Sequence, residues 1–209
     1  MKDNRCKTCR RFKQKLFLKG EKCFSAKCPM IKKPYPPGGK KSRQRKVSSY
    51  GEQLIEKQKL RAWYGGLKEK KMLRYVKKAL KRRERNEDAG EVLIQILERR
   101  LDNVVYRLGF ADSKNQAHQL VIHRHFEVNG KVVDRPSYQV NLNDVIQVRE
   151  KSKGISIFKE IKNRLKKKEI PAWVEIEEGK MSGKLLRLPT TEEVNVPVKI
   201  STVFEYYSR

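Results

Sequence analysis

Long apolar runs are missing from this 209-residue chain. A membrane-spanning helix needs about 20 consecutive apolar residues, and no signal-peptide or lipidation pattern is present either, so no membrane association is expected. Acidic residues are scarce: 24 Asp and Glu face 51 Lys and Arg, a net charge of +27. A lone globular protein with that excess repels itself, so a polyanionic partner is expected. The basic residues run through every segment instead of gathering on one amphipathic helix, which favours nucleic acid over a lipid surface. Histidine is rarer still, with three residues confined to 118–125, and the four cysteines all fall within 6–28. No nucleophile, base and acid come together as a set. Asp102 reads as a helix cap and Asp134 and Asp144 as turn residues, so neither an enzyme nor a small-molecule substrate is expected.

The cysteines are few but patterned. Cys6-x2-Cys9 is followed after 13 residues by Cys23-x4-Cys28. Two close pairs can bring four thiolates to one point, as a structural tetrahedral Zn²⁺ site requires, and nearby Lys and Arg favour the thiolate form. An iron–sulfur cluster takes the same four ligands. Two disulfides or four free thiols are the alternatives, the first being disfavoured in a reducing compartment. Between the pairs, Lys15 to Gly20 reads as a short strand and turn. Pro34-Tyr-Pro-Pro-Gly-Gly39 cannot be helical and reads as an extended connector that sets this head apart. Lys40, Lys41, Arg43, Arg45 and Lys46 then form a basic linker suited to phosphates.

Residues 46–97 read as a helical domain. Ser49 with Glu52 suggests a capping box for a helix that stops at Gly65-Gly66 and carries Lys57, Lys59 and Arg61 as a second basic cluster. Met72, Leu73, Val76 and Leu80 mark another helix over about 68–85, and Val92 to Leu97 a third.

The stretch 99–150 changes period. Apolar residues at 101, 104, 105 and 108 give one helical face, which leaves Arg99, Arg100 and Arg107 for phosphate, and Gly109 ends the helix. Ser113 opens a second helix with Ala117, Leu120 and Val121 inside and Lys114, Gln116, His118 and Gln119 on its flanks. His123, Arg124 and His125 follow. With no cysteine or carboxylate cluster beside them, the histidines divide between plain surface residues and phosphate or base contacts. Phe126-Glu127-Val128 alternates, and Asn129-Gly130 supplies a type I′ turn before Lys131. A further strand runs from Val145 to Val148. Ile157, Ile161 and Leu165 then mark a helix closed by Lys166 to Lys168. Strands at 173–176 and 184–188 should complete the sheet, and residues 190–209 should pack back on the helical domain.

Set in order, several of these pieces resemble one family. Leu18-Lys-Gly-Glu21, Pro34-Tyr-Pro-Pro-Gly38, Glu56-Lys-Gln-Lys-Leu-Arg61, Arg100-Leu-Asp-Asn-Val-Val-Tyr-Arg-Leu-Gly109, Val128-Asn-Gly130, Pro136-Ser-Tyr138 and Tyr207-Ser-Arg209 resemble bacterial-type ribosomal protein S four, in its four-cysteine form. The resemblance covers nearly the whole chain. It implies an α+β protein in three parts: a metal-binding head and linker (1–45), a helical domain (46–97) and an RNA-binding domain (98–189). It implies a cytoplasmic protein of the small ribosomal subunit that binds ribosomal RNA at a helical junction early in assembly. Neighbouring small-subunit proteins, decoding accuracy and repression of its own messenger RNA are further implications. Arg124 stands where many relatives have Gly, and Gly39-Lys-Lys41 replaces a common Gln-His-Gly. An RNA-modifying enzyme that carries this module would need a catalytic domain. A zinc-finger DNA regulator would need a recognition helix where Pro29 and the proline-rich connector stand.

Overall fold

The computed structural model describes residues 5–38, 47–83, 87–159 and 169–208. The basic linker at 40–46 and the helix expected through Ile161 and Leu165 to Lys168 lie outside them. By packing the chain divides into two compact units, 1–81 with 196–209, and 82–195.

The first unit opens with α1 (Arg5–Arg11) and α2 (Pro29–Lys32), joined through a single turn of 3-10 helix at Gly20–Cys23. Pro29 suits the first position of α2 because its missing N–H has no partner there anyway. No strand forms over 15–20: Phe17 (φ +49°) and Gly20 (φ +59°) turn the chain left-handed and break the extension. The connector does not isolate the head. Cys9, Leu16 and Leu18 form a core on which Phe12, Met30, Ala62 and Trp63 pack, the last two from the end of α3 (Ser49–Trp63). Arg10 Nε also donates to the Tyr35 carbonyl at 2.9 Å, tying the proline-rich stretch to α1. Ser48, one residue before the expected cap, accepts from Gly51 N–H at the start of α3. Gly65 and Gly66 (φ +77° and +80°) end it. α4 (Glu69–Arg83) follows, with Met72, Val76 and Ala79 fully buried.

In the second unit, α5 (Ala89–Glu98), capped by Asp88, buries Val92, Leu93, Ile94, Ile96 and Leu97. The unit boundary at 81/82 therefore places α5 with the module that follows, and not, as its place in the chain suggests, with the helices before it. α6 (Leu101–Arg107) and α7 (Lys114–Ile122) pack against each other. Gly109 (φ +77°) closes α6, and Ser113 caps α7 by accepting from Gln116 N–H. Strands β1 (Phe126–Val128), β2 (Lys131–Val132), β3 (Val145–Val148), β4 (Val174–Glu177) and β5 (Ser182–Leu185) make one antiparallel sheet in the order β2-β1-β3-β5-β4. The turn at Asn129-Gly130 has φ of +49° and +76°, the two positive angles a type I′ turn demands.

β5 begins two residues earlier than its apolar run suggests. A Cβ at Gly183 would meet Leu108 Cδ2 at 2.5 Å and the Glu175 carbonyl at 2.7 Å, so a residue without a side chain lets this strand lie close to α6. The core continues through Phe126, which stacks on Phe110 at 6.0 Å and meets Phe158 of α8 (Ser156–Lys159) edge-on at 5.9 Å. α9 (Thr191–Val194) ends this unit with a capping box between Thr190 and Glu193. The tail is helical: α10 (Ile200–Tyr207) packs along α3 in the first unit.

Candidate nucleic-acid interface

Arg100 and Arg107, at the two ends of α6 and expected on phosphate, are each paired with a carboxylate within the fold. Arg100 is 2% exposed; its Nε and a terminal nitrogen donate to the two carboxylate oxygens of Asp102 at 3.0 and 2.5 Å. Asp102 therefore does not cap α6. It serves as counter-ion to Arg100 and also bonds His118 Nδ1 at 2.9 Å, holding that ring in place. Arg107 makes a two-pronged bond to Glu98, 2.9 Å on each arm, and its guanidinium lies 5.4 Å from the Trp173 ring centroid. Glu98 also accepts from the Asn103 amide. An Arg in the low-dielectric interior has to be paired, and Asp102 and Glu98 do this.

Other expected contacts are also committed within the fold. Arg99 donates to the Val140 carbonyl and the Asn141 side chain, both at 2.8 Å. The Ser113 hydroxyl is the cap of α7, and Gln116 Oε1 accepts from Asp112 N–H in the same turn. The Lys114 ammonium lies over the Tyr106 ring at 5.8 Å. His125 bonds Ser152 at 2.9 Å and sets its ring edge-on to Phe158; burial, then the nearby His123, push its pKa down. In the first unit Lys57 is buried, 3.1 Å from Glu69 and 4.0 Å from the Tyr206 ring centroid. Arg61 pairs with Glu69 at 2.8 Å and bonds the Leu67 carbonyl, and Lys59 pairs with Glu56 at 2.6 Å. Burial opposes ionisation of Glu69, yet the Tyr207 hydroxyl and Lys57 outweigh it and hold the pKa below the usual value.

What stays open to solvent lies at the end of α7 and along the hairpin. Gln119, His123, Arg124, Asn129 and Lys131 are all exposed. Arg124 takes φ +62°, the left-handed conformation that glycine holds more cheaply, and reaches Asp134 at 3.0 Å. That pair joins the end of α7 to the exit from β2. Asn129 also anchors the turn, donating to Asp144 and accepting from Val145 N–H, which fixes the hairpin on β3. The surface is cationic and polar, and it sits on a helix and a sheet, the rigid elements that position contacts well.

One further basic surface stands out in the folded chain. Lys70, Arg74, Lys77 and Lys81 are exposed on α4, spaced four, three and four residues apart, so they fall on one helical face. The spacing is legible in the sequence, but the stripe is hidden there among the many other Lys and Arg. The four cysteines line one cavity with Arg5, Lys15 and Lys19, and none is in a disulfide. Burial raises the Cys9 pKa; the Leu16 backbone lowers it, and the other three sulfurs raise it further. Among the described residues, no three His, Cys, Asp or Glu side chains are arranged as a ligand set.

A basic surface carried by two helices and a hairpin on a small antiparallel sheet is the arrangement of a nucleic-acid-binding module. Residues 1–98 match the family described as Ribosomal protein S4/S9 N-terminal domain, and residues 99–146 match the S4 domain. Relatives named small ribosomal subunit protein uS4 align over almost the full length. Those of Caldicellulosiruptor saccharolyticus and Thermotoga maritima are each 48% identical, covering 98% of this chain and 96% of theirs. A protein named uS4A from Symbiobacterium thermophilum is 46% identical over the same shares. The chain belongs to the uS4 family of small ribosomal subunit proteins.

Proposed function

We propose that this protein is a structural, non-catalytic component of the small ribosomal subunit that binds its ribosomal RNA directly. The adjoining matches of two family domains over residues 1–146 of one chain of +27 charge carry this reading. A-form RNA hides its base edges in a deep, narrow major groove, so recognition rests on shape, phosphates and 2′-hydroxyls. The rigid surface from Gln119 to Lys131, the stripe on α4 and the basic residues 40–46 suit several RNA helices meeting at a junction. A role in early assembly and in decoding accuracy, contact with neighbouring small-subunit proteins, repression of its own messenger RNA and a cytoplasmic location are parts of the same proposal.

The metal-bearing form of the family is the second element. Four cysteines in two close pairs, none in a disulfide and all lining one cavity, support a structural Zn²⁺ held by Cys6, Cys9, Cys23 and Cys28. A cluster of iron and sulfide is the alternative occupant. The donors fit in kind and line the same cavity, and binding would draw the sulfurs inward to a closed site.

The RNA reading is tested by competition binding at moderate salt between a folded small-subunit junction, its strands unpaired, and duplex DNA. Preference for the junction is the expected result. Equal affinity for all three would leave only a general polyanion binder.

A further inference from the structure

The cysteine-bearing head carries an aromatic step that its own core does not use. Phe24 follows the buried Cys23, yet the residue is 74% exposed, the highest value among the large exposed apolar residues of those described. The head already has a core in Cys9, Leu16 and Leu18, covered by Phe12, Met30, Ala62 and Trp63. Phe24 stays outside it and stacks on Phe17, ring centroids 5.0 Å apart and planes 29° from parallel.

Phe17 is unusual in its own right. Its φ of +49° is a region that bulky L-residues seldom enter, and such strain gathers where a side chain must be presented in one direction. With Leu16 and Leu18 both buried on either side, the strained residue delivers its ring to Phe24 at the surface. Lys15 Nζ lies 5.3 Å from the Phe17 centroid, and Lys22 and Lys27 are exposed on either side of Phe24 in the chain.

A flat apolar face with one ammonium at its backing ring and exposed lysines close by in the chain matches a nucleotide: ring for base, cation for phosphate. Protein–protein interfaces also favour aromatic anchors, but they are depleted in Lys, which disfavours a protein occupant here. The geometry points to a base-stacking RNA contact on the head, in which Phe24, backed by Phe17, takes one unpaired nucleobase while Lys22 and Lys27 meet the flanking phosphates. The contact rests on the ribosomal RNA reading above and adds to it a site that takes single-stranded RNA.

The test uses the full chain and a full-length small-subunit ribosomal RNA transcript, with affinity measured across a salt series. Phe24→Ala should weaken binding by roughly 5- to 150-fold, the range for one stacked base. The salt slope should not change, because no cation is removed. Phe24→Leu keeps apolar area but loses the flat face, and should weaken binding as Phe24→Ala does. Phe24→Trp should bind like the unaltered protein, with its added indole emission quenched by the RNA. Undiminished affinity of Phe24→Ala, or a Phe24→Leu protein equal to the unaltered one, would overturn the stacking contact. So would intact RNA affinity combined with weaker retention of other small-subunit proteins on the complex, which would make the step a protein contact. Failure of the unaltered protein to prefer ribosomal RNA over DNA would instead strike the broader reading.

Discussion

Arg100 and Asp102, two residues apart, form a two-pronged ion pair shut away from solvent at the start of α6. Breaking a buried pair from one side leaves the other charge unpaired, at a cost of about 3–5 kcal/mol. Arg100→Ala should therefore lower the melting temperature of the protein sharply. The salt slope of RNA binding, measured on protein that is still folded, should stay as it was. A normal melting curve with a slope flattened by about 0.7–0.9 would put this guanidinium on a phosphate instead.

The stripe on α4 should behave in the opposite way. Arg74, Lys77 and Lys81 are exposed on one helical face. Replacing all three with Ala should flatten the log–log salt slope by about 2–3, as the loss of three phosphate contacts does. Thermal stability should hold or rise slightly, since Ala favours helix. An unaltered slope would show that this face points away from RNA.

His125 should make the second unit sensitive to acid. Burial, and after it the charge of His123, hold its pKa below the ordinary value of 6.5. The unfolded chain therefore takes up the proton first, so this stability is present above about 6.5 and is lost as pH falls through 6.5 toward the lower folded value. His125→Gln should shrink the drop in melting temperature between about pH 8 and pH 5.5. An equal drop in both proteins would assign the acid sensitivity to other groups.

If the head holds the proposed metal, its loss should be felt at Trp63. That ring packs on the core formed by Cys9, Leu16 and Leu18, and the only other tryptophan, Trp173, lies in the second unit. In a Trp173→Phe background, chelation or Cys9→Ser should shift Trp63 emission to the red while the far-UV dichroism of the long helices persists. Complete removal of metal with no change in emission would uncouple the head's core from its thiols.

Local signals in the chain were decisive for the elements and the turns. Apolar spacing at 101, 104, 105 and 108 marks α6, Ser113 its neighbour's cap, Gly109 its end and Asn129-Gly130 the hairpin, because backbone preference and short-range periodicity act within a few residues. The excess of Lys and Arg, likewise a property of the chain alone, points to a polyanionic partner. Only tertiary structure decided which cations are spent inside the fold. Arg100, Arg107, Lys57 and His125 are candidate RNA contacts in sequence, and in the fold they find Asp102, Glu98, Glu69 and Ser152 as partners. The same holds for the tail, whose β-branched and aromatic residues form a helix on α3, tied by Gln53 to Glu205 at 3.1 Å and Tyr207 to Glu69 at 2.6 Å. These partners lie 152 and 138 residues apart along the chain, beyond the reach of any local pattern. An isolated charge prefers water, so whether it turns inward depends on a counter-charge that only folding brings to it.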